Sequence, residues 1–110
     1  MSAAGSRHMG RVAPKLRESA RDEDCLMRLE GVCTFDPART ILSHCCHEAA
    51  GKGGAMKAVD LATAYACDRC DAVYDGQAPR PEGMTREHVE ISWAFAHYRT
   101  LVRFIEKGLI

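Results

Sequence analysis

The sequence predicts a small α+β domain with a long C-terminal helix. Three observations point there: two short strand-like runs in the first part of the chain, a sustained helical period after Thr85, and two cysteine pairs before it. With 110 residues there is room for one domain and one modest core, and a loop-rich domain of that size needs a staple beyond its apolar contacts. A composition of 46% hydrophobic and 27% charged residues suits a folded soluble chain and excludes a disordered one. No apolar run approaches the ~18 residues of a membrane span, and no apolar segment follows the amino terminus. A cytoplasmic protein with no membrane contact is expected.

Basic and acidic residues balance at 15 each, but unevenly along the chain. Residues 1–21 carry Arg7, Arg11, Lys15, Arg17 and Arg21 against Glu18 alone, whereas residues 22–84 carry 11 acidic and six basic side chains. That distribution excludes a uniformly basic nucleic-acid binder and favours a site that gathers carboxylates around a metal. Residues 1–14 are expected to form a flexible basic arm, either a solvated terminus or one that contacts phosphate. Residues 15–110 then form the single domain.

Taken in order, residues 15–24 read as a short helix charged nearly all round. Leu26-Met27-Arg28-Leu29 reads as a strand closed by Glu30-Gly31, and Thr40–His44 as a second strand after a turn at Asp36-Pro37. Residues 49–58, with Gly51, Gly53 and Gly54, read as a flexible loop. A helix signal begins near Asp60, is interrupted at Cys67, and resumes from Cys70 to Tyr74. Residues 76–84 hold two prolines and two glycines and read as a linker. Thr85 is placed to cap a helix over 85–107, with Glu87 in its first turn and Gly108 as its stop. Ile91, Phe95, Tyr98, Val102 and Ile105 fall on one stripe of it, which reads as the core face or a helix-partner face.

Cys25-x7-Cys33 and Cys67-x2-Cys70 are two thiolate pairs that can close a tetrahedral zinc shell. Such zinc supplies folding free energy to a chain with a small core. Buried free thiols are the main alternative. A redox CxxC is disfavoured, since it calls for the strand of a βαβ unit and no second pair. In Ser43-His44-Cys45-Cys46-His47 the two cysteines read as packing residues and His47 as a surface histidine, or else as part of a second metal shell. Asp71 and Asp75 sit one helical turn apart, which suits either a hard divalent ion or acids that complement a helix dipole. A neutral imidazole such as His44 beside a carboxylate-bound metal is what phosphodiester hydrolysis requires.

Five stretches together carry a resemblance: Cys25-Leu-Met-Arg-Leu-Glu-Gly-Val-Cys33, Thr40-Ile-Leu-Ser-His44, Asp60-Leu61, Ala66-Cys67-x-x-Cys70-Asp71-x-x-x-Asp75, and Glu106-Lys-Gly-Leu-Ile110. Over residues 15–110 the chain resembles HNH nucleases of the ββα-metal class and, more narrowly, the YbcO-like family of prophage-encoded nucleases. The resemblance implies a zinc-stapled ββα-metal domain and a metal-dependent endonuclease that hydrolyses DNA. By position, His44 would be the general base and Asp60 the residue that orients the base or its loop. Asp71 and Asp75 would hold magnesium or manganese, and Cys25, Cys33, Cys67 and Cys70 a structural zinc.

Arg11, Lys15, Lys52 and Lys57 are expected to contact the DNA backbone with little sequence preference. A helper protein or a homodimer is a further expected partner. The chain departs from the wider class at Asp71, where many members have histidine, and at Ser43, where a metal-binding Asp or His often precedes the base. Ser43 is the main argument for the competing function, a non-catalytic zinc-stabilised module that binds nucleic acid or protein.

Overall fold

The computed structural model describes residues 14–47 and 59–110. In chain order these form helix α1 (residues 14–19), a 3-10 turn Pro37–Arg39, strand β1 (Thr40–His44), strand β2 (Thr63–Cys67), helix α2 (Asp68–Tyr74) and helix α3 (Arg86–Glu106). The two strands are antiparallel, with Thr40 opposite Cys67 and His44 opposite Thr63. α2 follows β2 without a loop, and α3 packs across β2.

Local chemistry sets the element ends. Asp36 caps the 3-10 turn by accepting from the Ala38 amide at 3.0 Å. Thr85 Oγ1 accepts from the His88 amide at 3.0 Å and starts α3. At the other end Gly108, at φ 71°, donates to Ile105 O at 3.0 Å, and Leu109 donates to Phe104 O at 2.9 Å. That pair of bonds is a Schellman closure, which needs a left-handed residue where glycine carries no Cβ penalty. Gly76 closes α2 in the same way, through Gly76 N to Val73 O and Gln77 N to Ala72 O.

Every residue of β2 is buried. Ala64 and Ala66 pack with Met27, Leu29, Val73, Tyr74, Val89, Trp93 and Ala96, while Tyr65 packs with Leu16, Ala20, Leu42 and Phe104. The Tyr65 backbone turns away from β1: its amide donates to Thr100 Oγ1 at 2.8 Å, and its carbonyl accepts from the Leu26 amide at 2.9 Å. Thr100 in turn donates to Ala96 O at 2.7 Å, so this buried polar set is satisfied.

Several expectations change. α1 is shorter than residues 15–24 and is not charged all round, because Leu16 is buried on its inner face with Ala20 just beyond its end. Residues 26–29 form no strand: Arg28 takes φ 50°, and the segment curls into a cysteine-bearing loop against the free edge of β2. The partner of β1 is therefore β2, in the stretch where a helix was expected from near Asp60. A five-residue, wholly buried run has no polar alternation to announce it as a strand.

The stripe on α3 also points the other way. Ile91, Phe95, Tyr98, Val102 and Ile105 are 48–63% exposed, and the core face is Val89, Trp93, Ala96, Thr100 and Phe104. Small Ala96 and the hydroxyl of Thr100 let α3 lie close on β2 and answer the Tyr65 amide, which a stripe of large apolar side chains would not. Residues 76–84 contain no helix or strand. The glycine-rich stretch 49–58 lies outside the described residues.

Candidate functional site

The loop 25–33 brings Cys25 and Cys33 to Cys67, at the end of β2, and Cys70, in the first turn of α2. The four sulfurs lie within 4.8 Å of one another. Backbone amides point at three of them: Arg28 N to Cys25 Sγ at 3.5 Å, Phe35 N to Cys33 Sγ at 3.4 Å, and Cys70 N to Cys67 Sγ at 3.4 Å. Arg28 and Phe35 both adopt positive φ, 50° and 52°, a conformation non-glycine residues rarely take. The hydrogen bond from Cys70, helped by backbone amides, brings the Cys25 thiol down to about 5. Burial pushes Cys33 up to about 11, and donating to Cys25 pushes Cys70 up. One thiolate is thus stabilised by the protons of its neighbours, and a divalent ion at the centre would replace those protons. Four converging sulfurs with amide support fit a structural metal such as zinc, in a shell with no open position.

A separate cavity of about 610 Å³ is lined by His44, Asp71, Asp75, Arg17, Arg21 and Thr40, among others. His44 ends β1, and its Nε2 lies 2.5 Å from Asp60 Oδ1. Asp60 is 7% exposed, its carbonyl accepts from Thr63 Oγ1 at 2.6 Å, and its second oxygen lies 3.5 Å from Arg17 Nε. A carboxylate acceptor requires the proton on Nε2, which leaves the imidazole lone pair on Nδ1. Asp71 Oδ1 accepts from Ser43 Oγ at 2.6 Å, and Ser43 Oγ accepts from Trp93 Nε1 at 3.0 Å. Asp75 caps α2 one turn later, and its Oδ2 accepts from Gln77 Nε2 at 3.0 Å. The Thr40 hydroxyl is buried with no hydrogen-bond partner among the described residues.

The family model described as "Putative nuclease YbcO" matches residues 14–109. The chain belongs to the YbcO family. It is also similar to a solved structure titled "Structure of a putative bacteriophage protein from Escherichia coli str. K-12 substr. MG1655", with 26% identity and a TM-score of 0.64 over 86% of this chain and 100% of that one. A comparison with curated proteins finds no match. Among the described residues no helix is long and apolar enough to cross a membrane.

In this YbcO-family chain His44 and Asp60 are in contact, and Asp71 and Asp75 line the same cavity as His44. Lys15 is exposed on α1 and is not among the residues that line it. Arg11, Lys52 and Lys57 lie outside the described residues. Sequence reasoning counted Arg17 and Arg21 among the basic residues of 1–21 without giving them a site, whereas both reach the cavity. Their signal was positional: they follow Leu16 and Ala20 by one residue each, so they flank the buried face of α1. Ser43 was read as a missing ligand, and its contact to Asp71 had no local signal, since 28 residues separate them.

Proposed function

We propose that this YbcO-family chain is an HNH-type, metal-dependent endonuclease that hydrolyses DNA phosphodiesters, encoded by a phage or prophage and acting in the cytoplasm. The observation that carries the reading is the convergence of an imidazole, two carboxylates one turn apart and two guanidiniums on one cavity. The order β1, β2, α2, with the base on the first strand and the carboxylates on the helix, agrees with the ββα-metal arrangement.

Magnesium or manganese held by Asp71 and Asp75 would supply Lewis-acid stabilisation of the phosphate. His44 accepts the proton of the attacking water on Nδ1, and Asp60 fixes that tautomer from the far side of the ring. Arg17 and Arg21 neutralise the phosphate, while Arg11, Lys15, Lys52 and Lys57 add non-specific backbone contacts. Ser43 holds Asp71 in place rather than taking a position in the metal shell itself. The outward stripe on α3 gives a helper protein or a second copy a face to use.

The test is cleavage of supercoiled and single-stranded DNA with added magnesium or manganese, against a chelator control and against His44→Ala of equal zinc content. The expected result is cutting that needs both the ion and His44, with a rate loss of about 10²–10⁴ in the variant. No cutting by folded, zinc-loaded protein would favour the zinc-stabilised binding module.

A further inference from the structure

Two residues beyond His44 the chain meets α3. There Cys46 Sγ, a His47 ring nitrogen and a Glu90 carboxylate oxygen lie within 4.8 Å of one another, close to Tyr74. From this we infer a second metal site, made of Cys46, His47 and Glu90, for a zinc-class divalent cation. It shares no ligand with the four-cysteine centre or with the Asp71 and Asp75 pair, and it does not depend on the nuclease reading.

The donor set is specific. One thiolate, one imidazole and one carboxylate select a borderline cation over magnesium or calcium, which prefer oxygen alone. Three protein ligands leave a fourth position for water or an exogenous group. The surrounding contacts hold these donors as metal ligands are usually held. Glu90 uses Oε1 toward His47 Nε2 at 2.8 Å, and its other oxygen, Oε2, accepts from Arg86 Nε at 2.9 Å. Arg86 is itself fixed, because it donates to Tyr74 O at 2.6 Å and lies over the Tyr74 ring. Its Nη2 also reaches Cys46 Sγ at 3.5 Å. The Cys46 amide donates to Tyr74 Oη at 3.0 Å, which fixes the backbone that carries both Cys46 and His47.

Arg86 and Tyr74 thus stand as an orienting shell, of the kind that sets ligand geometry at metal centres. Binding would release the His47 to Glu90 hydrogen bond and the Cys46 thiol proton, and would put the cation where that bond runs. The consequence is positional: the point where the chain leaves β1, beside the proposed base, would be clamped to α3.

The test uses full-length, zinc-loaded protein with its four-cysteine centre filled. Cobalt(II) is titrated in, and thiolate-to-cobalt charge transfer is read in the near ultraviolet, with metal content measured in parallel. The expected result is one further thiolate-bound cobalt per chain, counted by the absorbance of a single thiolate, with visible bands of four- or five-coordinate geometry; an ion held by Asp71 and Asp75 adds no such charge transfer. In Cys46→Ser that charge transfer is lost. In His47→Ala and Glu90→Gln, both at exposed or half-exposed positions, affinity for the second ion falls at least tenfold while the first zinc is kept. The inference is overturned if wild type shows no thiolate-to-cobalt charge transfer beyond the first metal. It is equally overturned if Cys46→Ser or Glu90→Gln takes up the second ion as wild type does, or if the band has the intensity of four thiolates, which would mean exchange at the structural centre.

Discussion

Ser43 Oγ donates to Asp71 Oδ1 at 2.6 Å while accepting from the indole of Trp93, so one small hydroxyl joins the core of α3 to a carboxylate in the cavity. Ser43 is 1% exposed, and its hydroxyl uses both its donor and an acceptor lone pair. A residue with a longer metal-binding side chain at this position would have to displace that chain of contacts. The departure from the wider nuclease pattern at residue 43 is therefore coupled to Trp93.

Ser43→Ala is expected to strand the buried Trp93 N–H and to remove one hydrogen bond from Asp71. The cost is about 1–3 kcal/mol of stability, read by urea denaturation. On the proposed function, manganese affinity also falls, because Asp71 loses one of the contacts that orient it. Trp93→Phe removes the donor that the stranding requires, so in that background Ser43→Ala should cost less. Additive losses in the double variant would rule out the coupling.

The four-cysteine centre predicts a metal- and pH-dependent fold. Cysteine thiols must lose their protons to bind zinc, so lowering the pH favours release and raising it favours retention. Structural zinc of this kind contributes apparent free energies of about 10–16 kcal/mol in small domains near pH 7. Chelation at neutral pH, or acidification, should release one zinc from this centre together with loss of the near-ultraviolet signal of Trp93, since Cys67 and Cys70 belong to the same packed cluster as that ring. A stripped protein that keeps its cooperative unfolding transition would count against the staple.

Glu23 predicts a second pH effect, of known sign. Burial alone would raise its carboxyl, but hydrogen bonds from Arg103 and Lys107 outweigh that and hold it below the usual carboxylate range. Arg103 Nη2 donates to it at 2.9 Å, and Lys107 also donates to Ser19 O at 2.8 Å, so the cluster ties the end of α1 to the end of α3. A depressed carboxyl contributes stability that is complete above its unfolded value, about 4.3, and is lost as pH falls through the lower folded value. Glu23→Gln should therefore be less stable than wild type at neutral pH and converge with it in strong acid. Denaturation midpoints across that range decide the matter.

The two faces of α3 show what the sequence carried and what it hid. Its ends were legible, because Thr85 and Gly108 act through bonds within a few residues. Strand β1 and the cysteine pairs were legible for the same reason. Its orientation was not, because two apolar faces compete and the one with larger side chains points outward. What settles the choice is the Tyr65 amide meeting Thr100, a contact 35 residues apart. The same limit applies to the sites: His44, Asp71 and Asp75 stand out by type and spacing, whereas Glu90 meets His47 across 43 residues with no local mark.

That orientation is open to a direct check by paired substitutions. Phe104→Ala removes a ring that is 0% exposed and edge-on to Tyr65 at 5.7 Å, and should cost about 3–5 kcal/mol. Tyr98→Lys, on a side chain 60% exposed, should change the stability of the single chain by no more than about 0.5 kcal/mol. If Tyr98→Lys proves the more damaging at concentrations where the protein is monomeric, the outward assignment of the stripe is wrong.

The contact between His44 and Asp60 yields the sharpest expectation for catalysis. Asp60 is buried, and its oxygen meets His44 Nε2 at 2.5 Å, so the carboxylate accepts from Nε2–H and the ring lone pair is left on Nδ1. Asp60→Asn preserves shape and can still accept from Nε2–H through its carbonyl oxygen, but it no longer stabilises the imidazolium that forms when the base is protonated. On the proposed function Asp60→Asn should keep its fold and zinc and lose rate chiefly in kcat. Asp60→Ala should lose more, because nothing then selects the tautomer. His44→Ala should lose about 10²–10⁴, the full general-base contribution. A series in which Asp60→Ala cuts DNA as fast as wild type, with His44→Ala inactive, would show that His44 acts without the carboxylate behind it.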